Sequence, residues 1–194
     1  MAKIILLNAP KGAGKDTVAN AICERLDYPR KASFKAPMFQ IALAILGQHN
    51  YCRFLDVYGD REQKEKAHDF LMGMTCRQFM IWISEEVIKP KFGEKYFGKR
   101  LSDLAANSDY PVIVSDCGFE QEVIALIEGG HEVKLVRMHR QGFEFDETDS
   151  RNYVYLPACY YGENGYEEID VDLFDGDPVY TAYELIHKFK LKQH

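Results

Sequence analysis

The sequence predicts an α/β fold with a mostly parallel sheet covered by helices on both faces. Three observations predict it. Short apolar runs alternate with stretches of helical period. The first run, Ile4 to Leu7, feeds a loop with Gly12 and Gly14, then Lys15, Asp16 and Thr17, and a helical pattern follows at once. A second run, Val112 to Ser115, ends in Asp116. Both endings lie where parallel sheets gather their ligands, beyond the carboxyl ends of the strands.

The first ending has the strand–loop–helix arrangement of a phosphate-binding loop. Glycines let backbone N–H groups turn toward phosphate oxygens with no Cβ in the way. The helix N-terminus adds partial positive charge. Lys11, Gly12, Ala13, Gly14, Lys15, Asp16 and Thr17 are therefore the candidate ATP-binding residues, with Lys15 reaching the β- and γ-phosphates. Against the pattern G-x-x-x-x-G-K-[S/T], Gly14 and Lys15 fit. Ala9 stands where the first Gly belongs, and Asp16 where Ser or Thr belongs, with Thr17 one place later. The competing reading is a glycine-rich turn that opens a helix and carries a surface lysine.

The chain has 194 residues, one domain's worth with room for small inserted lobes. Such a length buries a sizeable core without staples. A formal charge of −6 argues against a nonspecific grip on a nucleic acid polymer. Cys23, Cys52, Cys76, Cys117 and Cys159 are odd in number and scattered, without a C-x-x-C pair. They suit a reducing compartment rather than a disulfide framework or a zinc site. No stretch reaches transmembrane length, and a strand begins almost at the first residue. The expectation is a soluble cytoplasmic protein with no membrane partner.

Individual elements follow. Val18, Ile22 and Leu26 recur at helical spacing after the loop. Residues 31–34 read as a second strand. Pro37 opens a helix running to Leu46, with Gly47 as its stop. Residues 60–72 read as another helix. Thr75-Cys76-Arg77-Gln78 has capping-box spacing and opens a helix expected to stop before Pro90. Residues 96–106 read as a further helix. Pro111 to Ser115 is a strand, 120–128 a helix ended by Gly129-Gly130, and 133–138 a strand. Residues 139–165 show no steady period. Residues 169–173 form a last short strand, and Asp177-Pro178 opens the final helix.

Several residues suit phosphoryl transfer. A strand-end carboxylate such as Asp116 can hold Mg²⁺ directly or through water, or simply cap a helix. Thr17 can offer its hydroxyl on the same side. Asp16 could organise Mg²⁺ water, accept a proton from an acceptor phosphate, or only favour the helix N-terminus. Arg140 and Arg151 lie among acidic and aromatic residues after the fourth strand. There a lid would neutralise the transferring group and exclude water; a mixed-charge surface loop is the alternative. Arg137 sits on the strand itself, where side chains alternate faces. Lys35 and Arg77 are candidates for an acceptor phosphate. Phe34, Phe39, Trp82, Tyr96 and Phe97 could stack on a base, though aromatics at helical spacing are usually core. The histidines show no metal-ligand spacing.

In this order, Gly14-Lys15-Asp16-Thr17, Ser33-Phe34-Lys35-Ala36-Pro37, Thr75-Cys76-Arg77-Gln78-Phe79, Val112 to Asp116 with Phe119-Glu120-Gln121-Glu122, and the arginines from Arg137 onward, the chain resembles phage-type deoxynucleoside monophosphate kinases. These belong to the P-loop nucleoside monophosphate kinases. The resemblance implies a three-layer α/β/α P-loop NTPase fold with a five-stranded sheet, a helical acceptor-binding insertion and a lid. The core would be residues 1–35, 107–138 and 166–194, the insertion about 36–106 and the lid about 139–165. It implies Mg-ATP as donor and a (deoxy)nucleoside monophosphate as acceptor. Lys15 and Thr17 carry over as phosphate binders, Lys35 and Arg77 as acceptor-side residues, and Arg140 and Arg151 as lid residues. For a protein of phage origin the compartment would be the host cytoplasm. A homodimer is left open.

Two departures stand out. The family pattern has an arginine soon after the strand-end aspartate, where this chain has Cys117-Gly118. Its lid pattern is met only loosely, by Asp149-Ser150-Arg151. Other readings of the same motifs are a P-loop kinase of a sugar acid, shikimate or dephospho-coenzyme A, a nucleotide-binding regulator, and a degenerate P-loop protein with a structural role. No N-K-x-D tetrapeptide supports a GTPase.

Overall fold

The computed structural model describes residues 1–146, 151–173 and 177–192. Within them, β1 (Lys3–Asn8), β2 (Arg30–Ala32), β3 (Val112–Val114), β4 (Glu132–His139) and β5 (Glu167–Asp172) form one sheet in the order β2-β3-β1-β4-β5. Every neighbouring pair is parallel. Leu6 of β1 sits level with Val114 on one side and Leu135 on the other. The strand order reverses beside β1, so its carboxyl end is the crevice where such sheets bind ligands.

The helices are α1 (Lys15–Cys23), α2 (Ala36–Gly59), α3 (Cys76–Trp82), α4 (Lys89–Phe92), α5 (Tyr96–Ala105), α6 (Glu120–Glu128) and α7 (Pro178–Lys188). The chain forms two compact units, one of residues 1–34 with 97–194 and the other of Lys35–Tyr96.

In the first unit, strand alternation sorts the core. Ile5, Leu7, Ile113, Val136 and Met138 pack with Val18 and Ile22 of α1 and with Leu185 and Ile186 of α7. Ile4, Leu6, Val112, Val114, Val133 and Leu135 are equally buried. Strands buried on both faces read as continuous apolar runs, which is why Ile4 to Leu7 is legible. α6 starts and stops where Gly129-Gly130 predicts. Asp177 caps α7 by accepting from the Tyr180 N–H at 2.7 Å. α5 packs within this unit, and a Cβ on Gly98 would lie 2.6 Å from that of Ala125. The sequence reading placed α5 in the insertion of about 36–106.

His131 shows how tightly this unit is closed. Its ring is 2 % exposed, with Nδ1 accepting from the Ala2 N–H at 3.4 Å and Nε2 beside Ser102 Oγ at 2.9 Å. The Nδ1 contact places the proton on Nε2, which donates to Ser102. Burial lowers the imidazole pKa below its usual value. The unfolded chain takes up this proton near pH ~6.5, the folded one only at lower pH. Stability from this group is thus full above about pH 6.5 and falls as the pH drops toward the folded pKa. Urea midpoints from pH 8 to 5 should show a fall of up to about 1.4 kcal/mol per pH unit below that point, absent in His131→Gln.

The second unit has an aromatic core. Phe54 is fully buried, with the rings of Phe39, Phe79 and Tyr58 around it at 6.0, 5.8 and 5.4 Å. Gly47 (φ 69, ψ 164) is non-helical and stops the first part of α2 as expected, and a second helical part follows it directly to Gly59. Two expectations are corrected here. The helix expected over 60–72 is absent: that charged stretch buries only Leu71 and forms short turns at Gln63–Glu65 and Asp69–Leu71. The Thr75 capping box forms as expected, but the helix does not stop before Pro90. A π-helical segment, Ile83–Ile88, follows α3 and passes into α4 with Pro90 in its first turn. Pro is tolerated in a first turn, where its missing N–H has no partner to lose.

Candidate active site

α1 begins at Lys15, directly after Gly14, whose φ of 107 is a left-handed conformation that L side chains rarely adopt. Nothing lies within 4 Å of where a Gly14 Cβ would stand, so this side of the loop is open. The Val18 N–H donates to the Gly14 carbonyl at 3.0 Å and starts the helical ladder. Helix geometry leaves the preceding N–H groups without intrahelical acceptors, and together they suit a phosphate oxygen. Lys15 is buried, and its Nζ donates to the Pro10 carbonyl at 3.1 Å. The Ala13 N–H donates to the same carbonyl at 3.3 Å, drawing the loop around the ammonium. Lys11, Gly12, Asp16 and Thr17 are exposed.

The two strand-end carboxylates face different partners. Asp16 accepts from Ser115 Oγ at 2.6 Å. Asp116 accepts from Ser33 Oγ at 2.6 Å and from the Phe34 N–H at 3.1 Å. Asp116 thus ties the end of β3 to the loop that leads into Lys35. Ser115, its neighbour, is the β3-end residue that meets the phosphate loop. Sequence reasoning passed over Ser115, although alternation along an extended chain turns adjacent residues to opposite sides.

The stretch read as a lid leaves the carboxyl end of β4. At its start, the Phe143 N–H donates to the Arg140 carbonyl at 3.1 Å, closing a tight turn. The Arg140 guanidinium lies 4.7 Å from the centre of the Phe143 ring, a cation–π contact. That ring lies over the phosphate loop, its Cε1 3.2 Å from where a Gly12 Cβ would be. Midway along the stretch, the aliphatic stem of Arg151 crosses Gly118. Glu147, Asp149 and Ser150 lie outside the described residues. Tyr153 receives the Phe145 ring edge-on, with centroids 5.0 Å apart.

Arg137 points away from Arg140 and the phosphate loop, toward β5 and the later part of the lid stretch. It donates to both oxygens of Asp170, at 3.0 and 2.7 Å, and to the Val154 carbonyl at 2.9 Å. Glu168 lies 3.1 Å from it. Lys35 and Arg77 belong to the second unit. Lys35 stands at the start of α2, and Arg77 Nε is 3.7 Å from Glu65. Phe34 and Phe97 are core residues, while Phe39 and Trp82 pack on Tyr58 and Phe79. Cys117 is buried, which pushes its thiol pKa well up and makes it a poor nucleophile.

The first unit therefore brings Lys15, Asp16, Thr17, Asp116, Arg140 and Arg151 to the carboxyl ends of β1, β3 and β4. Such oxygens suit a hard cation like Mg²⁺, which keeps several waters and binds substrate phosphates rather than an all-protein cage. Among the described residues no group of three or more His, Cys, Asp or Glu could hold a metal alone, and no helix is long and apolar enough to cross a membrane.

No family model matches the chain. In overall structure it is similar to a Deinococcus radiodurans tunicamycin resistance protein, with a TM-score of 0.52 and 15% identity, covering 100% of this chain and 98% of that one. With the phosphate loop after the central strand of an all-parallel sheet, this decides the fold. It is a P-loop NTPase fold. A sugar kinase from Janibacter sp. HTCC2649 has a TM-score of 0.46 at 11% identity, too low to carry an argument. In sequence, this P-loop protein is 27% identical over 160 residues to an Acanthamoeba polyphaga mimivirus protein named "Putative deoxynucleotide monophosphate kinase". The alignment covers 75% of this chain and 78% of the relative. The P-loop protein is thus kinase-like, as its motifs imply.

Proposed function

We propose that the protein transfers the γ-phosphoryl group of Mg-ATP to a nucleoside or deoxynucleoside monophosphate. The observation that carries this reading is that two parts of the lid meet the P-loop side of the sheet: Phe143, beneath Arg140, covers Gly12, and Arg151 crosses Gly118. The acceptor class is supported by the name of the mimivirus relative and by the order of the shared motifs.

The chemistry needs positioning and charge neutralisation more than a strong base. An oxygen of the acceptor phosphate bonds to Pγ as the bond to the β,γ-bridging oxygen breaks, and ADP leaves. Lys15 and the loop N–H groups hold the β- and γ-phosphates. Arg140 and Arg151 offset charge on the transferring group. Thr17, Asp16 and Asp116 would hold Mg²⁺ directly or through water, and the ion would withdraw charge from the phosphates. Lys35 and Arg77 are assigned to the acceptor phosphate. Asp16, held by Ser115, is placed to orient a metal-bound water rather than only to complement the helix dipole.

The test is ADP release from Mg-ATP with a panel of purine and pyrimidine NMPs and dNMPs. At least one should raise ADP production well above the rate without acceptor. Sugar acids, shikimate and dephospho-coenzyme A complete the panel. Turnover confined to one of those overturns the acceptor assignment, and no turnover with any acceptor overturns the reading altogether.

A further inference from the structure

The crevice beside β1 holds a buried polar clasp to which the proposed reaction assigns no role. Asn8, the last residue of β1, is fully buried. Its Nδ2 donates to the Cys117 and Asn152 carbonyls, each at 3.1 Å. Its Oδ1 accepts from the Val154 N–H at 2.9 Å. Both amide donors are thus used, and the one side chain joins the end of β1, the turn after β3 and the middle of the lid stretch. The Asn152 N–H also reaches the Gly118 carbonyl at 3.4 Å.

Arg151 immediately precedes the clasped stretch. Its Cγ, Cβ and Cδ lie 2.6, 2.7 and 2.8 Å from where a Cβ on residue 118 would stand. Gly118 is not among the positive-φ glycines, so its backbone does not call for glycine. What calls for it is space. The crowding atoms are the near end of Arg151, and a Cβ cannot swing aside as a guanidinium can. The clasp fixes the backbone after Arg151, and the notch at Gly118 fixes its stem. That stem is based at the carboxyl end of β3, the strand beside the one that bears the P-loop.

We propose that Asn8 and Gly118 are positioning residues that hold Arg151 as a fixed anion-binding arginine at the end of β3, on the acceptor side of the P-loop. The part of the lid at Arg151 is a rigid part of the site. This rests on the phosphoryl-transfer reading, but the clasp is testable without it.

The experiment compares wild type, Gly118→Ala, Arg151→Gly and the double variant, since alanine at 151 would keep the Cβ that stands 2.7 Å from the added one. Gly118→Ala should raise amide hydrogen exchange at Asn152 and Val154 by about tenfold or more, since the local protection conferred by the clasp is lost. With the best acceptor of the panel, Gly118→Ala and Arg151→Gly should each raise acceptor KM or lower kcat by about tenfold, with ATP KM within about twofold of wild type. In the Arg151→Gly background, Gly118→Ala should cost less than about twofold, because the crowded side chain is gone. Equal cost in both backgrounds overturns the proposal. Unchanged exchange at Asn152 and Val154 overturns it even if the protein turns over no acceptor, so failure of the clasp and failure of the kinase reading are distinguishable. If Gly118→Ala does not fold, the double variant should fold. A double variant that also fails to fold shows that Arg151 is not what crowds Gly118.

Discussion

Replacing Lys15 with alanine should lower kcat by about 10²–10³-fold, the usual consequence of removing one preorganised donor from a site where charge develops. Lys15 is buried at the start of α1, so its ammonium acts in a poorly hydrated setting where a charge is worth more than in water. The same substitution removes a hydrogen bond to the Pro10 carbonyl from the folded structure. That should cost about 1 kcal/mol, or a few degrees of Tm at this size. Steady-state ADP release and a circular-dichroism melt separate the two effects. A variant that kept half the wild-type kcat would remove Lys15 from charge stabilisation.

Arg137→Ala should be the most damaging single change to stability among the residues considered, with little to say about catalysis. The guanidinium is 4 % exposed, holds Asp170 with two hydrogen bonds, and stacks 4.1 Å from the centre of the Tyr155 ring. Its loss strands Glu168, which lies in the same cluster and accepts from Tyr166 and Tyr161 at 2.6 and 2.8 Å. Breaking a buried pair by removing one partner costs about 3–5 kcal/mol. Because Asp170 is half exposed, the lower end, about 3 kcal/mol, is expected, or a Tm lower by about 6–12 °C. There is also a pH signature. The hydrogen bond from Arg137 lowers the Asp170 pKa to about 2, below that of the unfolded chain. Stability from this pair is therefore present above about pH 4 and lost as the pH falls toward about 2. Arg137→Ala should flatten that part of the acid-unfolding curve.

Local signals were readable from sequence, and nonlocal ones were not. The Gly14-Lys15 loop, the Thr75 capping box, the Gly129 stop and the Asp177 cap each depend on residues within a few positions of one another. The sequence therefore placed β1, α1, the start of α3, α6 and α7 well. Asn8 was invisible because its partners, Cys117, Asn152 and Val154, lie more than a hundred residues away. Asp116 was legible as a strand-end carboxylate, but its hold on Ser33 and Phe34 was not, because only the pairing of β2 with β3 brings them near. The alternation that set Arg137 apart from Arg140 also turned Ser115 toward Asp16, and only the first of these was drawn from it. In the second unit Gly47 was legible as a helix stop, but the helix that follows it was not, because its Phe54 is buried against Phe79, a tertiary contact that local propensity does not carry.

The strand order bears on how the chain is made. β1 leaves the ribosome first, yet its partners β3 and β4 follow more than a hundred residues later. At about 5–20 residues per second, Ile4 to Leu7 waits roughly 5–25 s for its neighbours. Residues 35–96, by contrast, are contiguous and complete before β3 is synthesised. The insertion can therefore close on itself while the most apolar strand of the sheet is still waiting. Nascent chains stalled before residue 112 would carry a finished helical unit and an unpaired β1, the species most in need of a chaperone.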